Sequence, residues 1–319
     1  INDANFSQKI SLFGDMIVFS SYGMQVIMSF LMLAMIFMML PRAQVSARRI
    51  NEVLEKNIKI KEGNKTSSEE FGTVVFQNVS FKYPEAEEYV LKNISFSVKQ
   101  GETVAFIGST GSGKSTLINL ISRFYDATSG QVLVDGIDVK EYTSEALNSK
   151  IGYIPQKAVL FSGTIFSNVG FGKVNNKKPS KENIEKAIEV AQASDFVLKS
   201  DKKYDSFVAR GGTNLSGGQK QRLSIARAIA RKPEIYIFDD SFSALDYKTD
   251  FTLRKELKKY TKEATVLIVA QRIGTILNAD KIIVLDNGKC VGMGKHQELL
   301  KTCEIYKEIA LSQLKEEEL

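Results

Sequence analysis

A glycine-rich segment in the first half of the chain constrains the fold more than any other feature. The sequence GSTGSGKS occupies residues 108–115 and directly follows the apolar, β-branched run TVAFI. It matches the pattern G-x-x-x-x-G-K-[ST] between a predicted strand and a predicted helix, where backbone N–H groups and a helix N-terminus surround phosphate oxygens. The segment therefore predicts a nucleotide site in an α/β domain, with Lys114 on the β- and γ-phosphates and Ser115 as a Mg²⁺ ligand.

Short β-branched runs on both sides of this segment predict the rest of the sheet. They are TVVFQNVSF, NISFSV, QVLV, IGYI, IYIF, TVLIV and KIIVL, and helical patterns separate several of them. This alternation is typical of an α/β domain with a largely parallel central sheet. The run that ends in Asp239 places a carboxylate at the C-terminal end of a buried strand, where such sheets bind their ligands. We expect Asp239 to be a second partner of Mg²⁺.

The sequence LSGGQ at residues 215–219 completes a resemblance to the ATP-binding-cassette (ABC) family, of which it is the signature. Tyr83 is similar to the family's adenine-stacking aromatic residue, Gln156 in YIPQ to its Q-loop glutamine, and SALD at 243–246 to its D-loop. The resemblance runs from about Phe71 to the C-terminus. It implies an α/β P-loop NTPase with a parallel core sheet, an antiparallel β subdomain and an α-helical signature subdomain. Taken alone, LSGGQ could also be a serine-capped helix with a glycine turn.

The resemblance also implies a set of ligands and a partner. Two cassettes close head to tail around two ATP molecules, each with Mg²⁺, so that one chain's signature contacts the nucleotide of the other. The implied ATP-binding residues are Tyr83, Gly108, Ser109, Thr110, Gly111, Ser112, Gly113, Lys114, Ser115, Thr116, Gln156 and Asp239. The implied Mg²⁺ ligands are Ser115, Gln156 and Asp239. The residues implied to act on the partner's nucleotide are Ser216, Gly217, Gly218 and Gln219.

Two of the positions that depart from the family pattern concern hydrolysis. The family usually has Glu directly after the Asp of the buried strand and His after the strand that follows the D-loop, whereas this chain has Asp240 and Gln271. The expected catalytic set is therefore Lys114, Gln156, Asp240 and Gln271, with hydrolysis impaired. The single histidine, His296, lies near the end of the chain and is interpreted as structural. These substitutions favour the degenerate subunit of a heterodimeric exporter, whose partner keeps the Glu and the His.

A charge-free run near the N-terminus predicts a membrane-spanning helix. No charged residue occurs from Met16 to Pro41, and about 20 apolar residues are enough to cross a bilayer. Arg42, Arg48 and Arg49 follow the run, so the positive-inside rule places its C-terminal side in the cytoplasm of a plasma-membrane protein. A buried helix of a soluble domain and a signal peptide are the alternatives.

The predicted organisation follows from this span. Residues 1–58 comprise the end of an external loop, up to residue 14, then the last transmembrane helix and its cytosolic extension. Residues 59–70, KIKEGNKTSSEE, are polar and read as a linker, and residues 71–319 form the nucleotide-binding domain. The resemblance to exporter half-transporters implies five earlier spans, hence a multi-pass protein in a lipid bilayer.

The overall composition narrows the remaining choices. A net charge of +6 over 319 residues is small and calls for no nucleic-acid partner, and two cysteines do not make a disulfide framework. The rival interpretations are a homodimeric exporter with slow hydrolysis, a soluble non-transport ABC ATPase, an importer ATPase subunit and a non-hydrolysing ATP switch. Fusion of a span to the cassette disfavours the soluble and importer alternatives. The transported substrate is not predicted, since one span does not define a cavity.

Overall fold

The computed structural model describes residues 2–56, 60–173 and 177–314, and the chain divides into two units, residues 1–59 and 60–319. The first unit contains helix α1, Asn2–Leu54. At 1.5 Å per residue a helix of 53 residues is about 80 Å long, well beyond a hydrocarbon core of roughly 30 Å. Within the described residues, the segment Gln8–Leu54 is the one helical stretch long and apolar enough to cross a membrane.

Helix α1 extends further at both ends than the predicted span. It continues through Pro41 to Leu54, although proline removes one main-chain hydrogen bond. At the other end it begins at Asn2, so the residues expected to form the end of a loop are helical. Residues 2–13 contain neither proline nor glycine, and nothing in them interrupts a helix that enters Gly14.

The predicted linker is hydrogen-bonded to the second unit from its first described residues onward. Gly63 donates its N–H to the carbonyl of Tyr142 at 3.1 Å, and Lys65 pairs with both Glu141 (2.8 Å) and Thr143 (2.9 Å) through main-chain bonds. Residues 60–70 therefore belong to the same unit as residues 71–314, in contrast to the expectation that the domain begins near residue 71. Residues 57–59, where the predicted linker begins, lie outside the described part of the chain.

A six-stranded sheet forms the centre of the second unit. Its order is β12-β11-β3-β10-β9-β6, and all neighbours are parallel except the β11–β12 pair. The strands are β3 (Thr103–Gly108), β6 (Ile151–Ile154), β9 (Ile235–Asp239), β10 (Thr265–Val269), β11 (Lys281–Asp286) and β12 (Lys289–Gly294). Every residue of β10 is buried, as expected for a strand covered on both faces. This confirms the predicted parallel core sheet.

An antiparallel sheet covers one face of the central sheet together with helix α2 (Lys114–Ile121). Its order is β2-β1-β4-β5, and its strands are β1 (Val74–Phe81), β2 (Leu91–Val98), β4 (Ser129–Val134) and β5 (Ile137–Asp138). The side chains of β3 alternate between the two faces. Val104 and Phe106 pack in the cluster with the antiparallel sheet, whereas Ala105 and Ile107 pack in the cluster on the other face. The predicted antiparallel subdomain is confirmed.

Helices fill the other face and form the predicted signature subdomain. Helices α5 (Lys181–Val190) and α7 (Gly217–Ala230) contribute Ile184, Ile188, Leu223 and Ile229 to one buried cluster. The remaining elements, in chain order, are α3 (Ser144–Lys150), β7 (Gly163–Thr164), α4 (Ile165–Val169), α5 (Lys181–Val190), α6 (Ser194–Val197), β8 (Phe207–Val208), α7 (Gly217–Ala230), α8 (Tyr247–Tyr260), α9 (Ile273–Ile276), α10 (His296–Thr302) and α11 (Glu304–Leu311). Two short 3₁₀ turns, Lys203–Asp205 and Arg210–Gly212, lie beside β8.

Candidate nucleotide-binding site

The phosphate-loop segment, residues 108–115, connects β3 to α2 at the carboxyl edge of the parallel strands. Gly108 has φ +152°, and a Cβ there would lie 2.0 Å from the carbonyl oxygen of Leu285. Gly113 has φ +99°, and its Cβ would lie 2.7 Å from Cδ2 of Leu91. Both positions therefore require glycine, because a side chain would meet a neighbouring strand. The loop is a compact turn in which the N–H of Ser112 donates to the carbonyl of Ser109 at 3.2 Å. Successive N–H groups in such a turn can line an anion site.

Lys114 is folded into this loop. Its Nζ donates to the carbonyl oxygens of Gly108 (2.8 Å) and Ser109 (2.7 Å) and to Oγ of Ser112 (3.3 Å). Burial lowers the pKa of the ammonium, and the nearby carboxylates of Asp240 and Asp239 oppose that shift. The ammonium is thus a buried cation held by neutral acceptors. A phosphate oxygen would give it a stronger, charged acceptor.

Asp239, at the end of β9, lies between two hydroxyl groups. Ser115 Oγ donates to Asp239 Oδ1 at 3.1 Å, and the phenol of Tyr153 donates to Oδ2 at 3.1 Å. Burial raises the pKa of Tyr153, and the charge of Asp239 and the hydrogen bond to it act in the same direction, so the phenol stays protonated. The structure therefore brings together two of the three predicted Mg²⁺ ligands, Ser115 and Asp239, and adds a tyrosine that the sequence analysis did not select. The third, Gln156, donates to Asp240 instead.

The donor set around Asp239 fits Mg²⁺. The hydroxyl of Ser115 and the carboxylate of Asp239 are hard oxygen ligands, and Mg²⁺ usually takes one or two such groups together with substrate phosphates and water. Within the described residues, no group of three or more His, Cys, Asp and Glu side chains is placed to hold a metal by itself. A cation here would accordingly depend on a bound nucleotide for its remaining ligands.

A second group of polar side chains, the Asp240 corner, comprises Asp240, Gln156 and Gln271. Gln156 Nε2 donates to Asp240 Oδ2 at 3.1 Å, and Gln271 Nε2 donates to the same oxygen at 2.9 Å. Asp240 is 8% exposed and has φ +47°, a conformation that few non-glycine residues adopt. Burial raises the pKa of its carboxyl group, while the hydrogen bonds from Gln156 and Ser243 oppose the rise. All three predicted residues thus meet at one oxygen atom.

The main chain at Gln271 is held from the C-terminal end of the domain. Gln313 Nε2 donates to the carbonyl of Gln271 at 2.8 Å, and Gln313 Oε1 accepts from the N–H of Ile273 at 2.8 Å. One amide side chain therefore satisfies both a donor and an acceptor of the 271–273 loop. Gln313 lies after helix α11 and, like Tyr153, was not selected from the sequence.

Tyr83 lies beside the helix that follows the phosphate loop. Its hydroxyl is 2.9 Å from Oγ1 of Thr116, and its ring makes edge contacts with Phe81 and Tyr125 at centroid distances of 5.0 and 5.2 Å. The residue is half-buried, so part of the ring is accessible. Tyr83 and Thr116, two residues of the implied ATP-binding set, are therefore in contact with each other.

The LSGGQ segment combines the two interpretations that the sequence left open. Ser216 caps α7, since its Oγ accepts from Gln219 N at 3.3 Å and its own N–H donates to Gln219 Oε1 at 2.9 Å. Ser216 and Gly217 are nevertheless exposed, and a Cβ on Gly217 would meet nothing within 4 Å. The N–H groups of Gly217 and Gly218 belong to the first turn, which has no intrahelical acceptors for them. The capped end is therefore also open to an anion.

His296 is built into the packing near the C-terminus. It is the first residue of α10, it is buried, and its Nδ1 lies 2.7 Å from the hydroxyl of Tyr306. The two rings meet edge to face at a centroid distance of 5.8 Å. These contacts agree with a structural role.

Two functional contacts were missing from the sequence analysis for the same reason. Tyr153 and Asp239 are 86 residues apart, and Gln271 and Gln313 are 42 residues apart. The available signal for Tyr153 was its place three residues before Gln156, on a strand expected to end at the same edge of the sheet as Asp239. No comparable local signal marks Gln313.

The chain matches known proteins over most of its length. The ABC transporter family model matches residues 91–243. An uncharacterized ABC transporter ATP-binding protein of Mycobacterium tuberculosis is 46% identical over 305 residues, covering 94% of this chain and 52% of that protein. A putative multidrug export ATP-binding/permease protein of Staphylococcus aureus is 44% identical over 229 residues, covering 72% of this chain and 39% of that protein. The chain thus spans about half the length of the first relative and less than half the length of the second.

A solved structure is similar in sequence and in fold. The structure of a bacterial Atm1-family ABC exporter with ATP bound aligns with a TM-score of 0.78 and 32% identity. The alignment covers 88% of this chain and 49% of that one. The likeness therefore extends beyond the residues that the family model matches.

Proposed function

The chain belongs to the ABC transporter family through its ATP-binding domain, and on that premise we propose that it is the ATP-binding part of an exporter half-transporter with a weakly hydrolysing site of its own. The reaction of the whole complex is the hydrolysis of ATP with water to ADP and phosphate, coupled to efflux of a substrate. The relatives that support this are ABC transporter ATP-binding and export ATP-binding/permease proteins. The exporter structure with ATP bound supports it independently.

The phosphate-loop segment supports ATP binding by this chain. Lys114 is a buried cation on neutral acceptors, and its contacts with carbonyl oxygens are replaceable by phosphate oxygens. Ser115 and Asp239 would hold Mg²⁺, whose charge offsets that of the β- and γ-phosphates. The glycines at 108 and 113 keep the loop close to neighbouring strands and leave its N–H groups for the nucleotide. Tyr83 would contact the base from the side of α2.

The single observation that carries the weak-hydrolysis proposal is the Asp240 corner. A carboxylate that orients an attacking water needs an oxygen available to that water, and Asp240 Oδ2 already accepts from two amide groups, which leaves Oδ1 as the other acceptor. The Asp side chain is also one methylene shorter than Glu, and a misplacement near 1 Å costs roughly 100-fold in rate. Gln271 can donate a hydrogen bond but cannot become a cation, which weakens stabilisation of charge on the transferring phosphoryl group.

The signature segment supports a contribution to a second site. Ser216 and the N–H groups of Gly217 and Gly218 stand at an exposed helix start, which favours an anion through the helix dipole. We propose that this end meets the γ-phosphate bound by a partner chain, with Gln219 bracing Ser216 through the capping box. The partner would be a second half-transporter that carries Glu and His at the positions of Asp240 and Gln271.

The long helix α1 supports a location in a lipid bilayer. It contains a charge-free run of more than 20 residues and exceeds the bilayer thickness in length. Arg42, Arg48 and Arg49 follow that run, which favours a cytoplasmic position for the ATP-binding domain. We place the complete protein in the plasma membrane as a multi-pass subunit.

ATP turnover by the complete complex tests which chain's site hydrolyses ATP. Removal of the partner's catalytic Glu should lower turnover by about 100-fold, because this chain's site does not replace it. Adding Asp240→Glu and Gln271→His to this chain should then recover at least about a tenth of the lost activity. Asp201→Glu with Gln131→His, two exposed positions away from the site, is the matched control and should recover none.

Two results would overturn the proposal. Turnover near the wild-type rate after removal of the partner's Glu would mean that Asp240 and Gln271 support hydrolysis as they stand. Turnover by this chain in the absence of any second type of chain, raised by Asp240→Glu with Gln271→His, would instead indicate a homodimeric exporter with slow hydrolysis.

A further inference from the structure

We infer that Tyr153 is a positioning residue for Asp239: its phenol holds one carboxylate oxygen so that the other faces Ser115, where Mg²⁺ would bind. This inference rests on the proposed Mg²⁺–ATP function of the chain. It concerns a residue outside the phosphate-loop segment, the Asp240 corner and the signature.

The sheet register places the tyrosine at this carboxylate. Strands β6 and β9 are parallel neighbours, and Tyr153 pairs with Ile237. Asp239 lies two residues beyond Ile237 on the same strand, so its side chain leaves the sheet on the same face as that of Ile237. The phenol of Tyr153 reaches forward along this face and donates to Asp239 Oδ2 at 3.1 Å.

The tyrosine ring is itself held in place. It meets Phe124 edge to face at a centroid distance of 5.6 Å and an interplanar angle of 79°, and it packs against the cluster beneath the antiparallel sheet. The hydroxyl therefore has a restricted range of positions. A donor fixed in this way orients a carboxylate more effectively than a flexible side chain or a solvent molecule.

The geometry at Asp239 divides the roles of its two oxygens. An ionised carboxylate offers two equivalent acceptors, and rotation about its terminal bond exchanges them. Here the phenol takes Oδ2 and the hydroxyl of Ser115 takes Oδ1. Loss of the phenol would leave the carboxylate with one partner and allow it to rotate. Substitution of groups that orient a metal ligand in this way typically lowers metal affinity about 10- to 100-fold.

The test is Tyr153→Phe in the full-length complex, which keeps the ring and removes the hydroxyl. ATP affinity is measured first in EDTA and then in the presence of metal. The metal probe is Mn²⁺, and its binding to the ATP-loaded protein is followed by electron paramagnetic resonance. We expect the affinity for ATP in EDTA to stay within about twofold and the Mn²⁺ affinity at this chain's site to fall about 10-fold. A complex with two kinds of chain should show the shift in half of its sites.

Tyr142→Phe is the matched control. Tyr142 is fully buried and donates its phenol to the carbonyl of Val134 at 3.1 Å, so the variant loses a comparable hydrogen bond within the same hydrophobic cluster. Equal Mn²⁺ affinities for the two variants would overturn the inference. A parallel fall in ATP affinity in EDTA would also overturn it, because the hydroxyl would then act on the loop as a whole. Failure of the wild-type complex to bind ATP with or without metal would overturn the proposed function itself.

Discussion

In the phosphate-loop segment and in the Asp240 corner the side-chain donors are hydrogen-bonded within the protein, but the ionised partner is a cation in the first region and an anion in the second. Lys114 donates to two neutral carbonyl oxygens and one hydroxyl. Gln156 and Gln271 donate to a buried carboxylate. Each of these bonds has one ionised partner, the ammonium in the first region and the carboxylate in the second, so each falls in the class that contributes about 1.5–3 kcal/mol. A nucleotide would therefore give the ammonium an oppositely charged partner, whereas a water molecule would offer the carboxylate only a further neutral donor.

Lys114→Ala is the strongest test of this contrast. Loss of the only side-chain ammonium in the loop should lower ATP affinity about 10- to 100-fold, because one charged hydrogen-bonding group contributes a binding free energy of that size. Titration calorimetry with ATP measures the change, and Lys301→Ala, at an exposed position of α10, is the control. An affinity within about threefold of wild type would mean that the loop N–H groups alone bind the phosphates.

Ser216→Ala should have an intermediate effect and separate the signature from the chain's own nucleotide. Loss of the helix cap should cost about 1 kcal/mol of unfolding free energy, measured by chemical denaturation. Ser180→Ala removes the equivalent cap of α5 and should cost about the same. We expect only Ser216→Ala to reduce ATP turnover of the complex. Equal turnover in both variants would assign Ser216 a purely structural role.

Asp240→Asn should have the smallest effect and reports on the charge in the Asp240 corner. Burial raises the pKa of this carboxyl group above its ordinary value of 3.8, so the folded protein binds the proton more tightly than the unfolded chain does. The cost of ionising Asp240 is absent below about pH 3.8, grows as the pH rises to the raised pKa and is constant above it. The stability gained by the variant should grow over that interval.

Unfolding free energies of wild type and Asp240→Asn between pH 3.5 and about pH 7 check this sign. Asp201→Asn, at an exposed position, is the control and should show no such trend. A gain independent of pH would mean that the two amide donors, and not burial, set the protonation of Asp240.

Local patterns predicted most of the fold and the residue types of the site. The strand before the phosphate loop and the strand that ends at Asp239 are continuous apolar runs. Such runs can be predicted as strands from the sequence because both faces of the sheet are covered. Their meeting at one edge follows from parallel pairing alone. The contact between Ser115 and Asp239 thus agrees with the arrangement that those patterns predict.

The unpredicted parts depend on long-range or main-chain contacts. Residues 60–70 are polar, and their attachment through main-chain bonds to Glu141, Tyr142 and Thr143 leaves no pattern in the side chains. The shared acceptor Oδ2 of Asp240 depends on the left-handed φ at that residue. The sequence Asp239-Asp240 does not indicate that conformation. Sequence spacing could group Asp240 with Gln156 and Gln271 but could not assign them to one oxygen.

The amide of Gln313 has a practical consequence for anyone who shortens or labels the protein. This side chain joins Gln271 O and Ile273 N, which lie 42 and 40 residues earlier in the sequence. A cut placed before Gln313 would remove both hydrogen bonds and release the loop that presents Gln271 to Asp240. Kinetic measurements on such a shortened protein would then describe a loosened loop, so cleavage sites and affinity tags belong after Gln313.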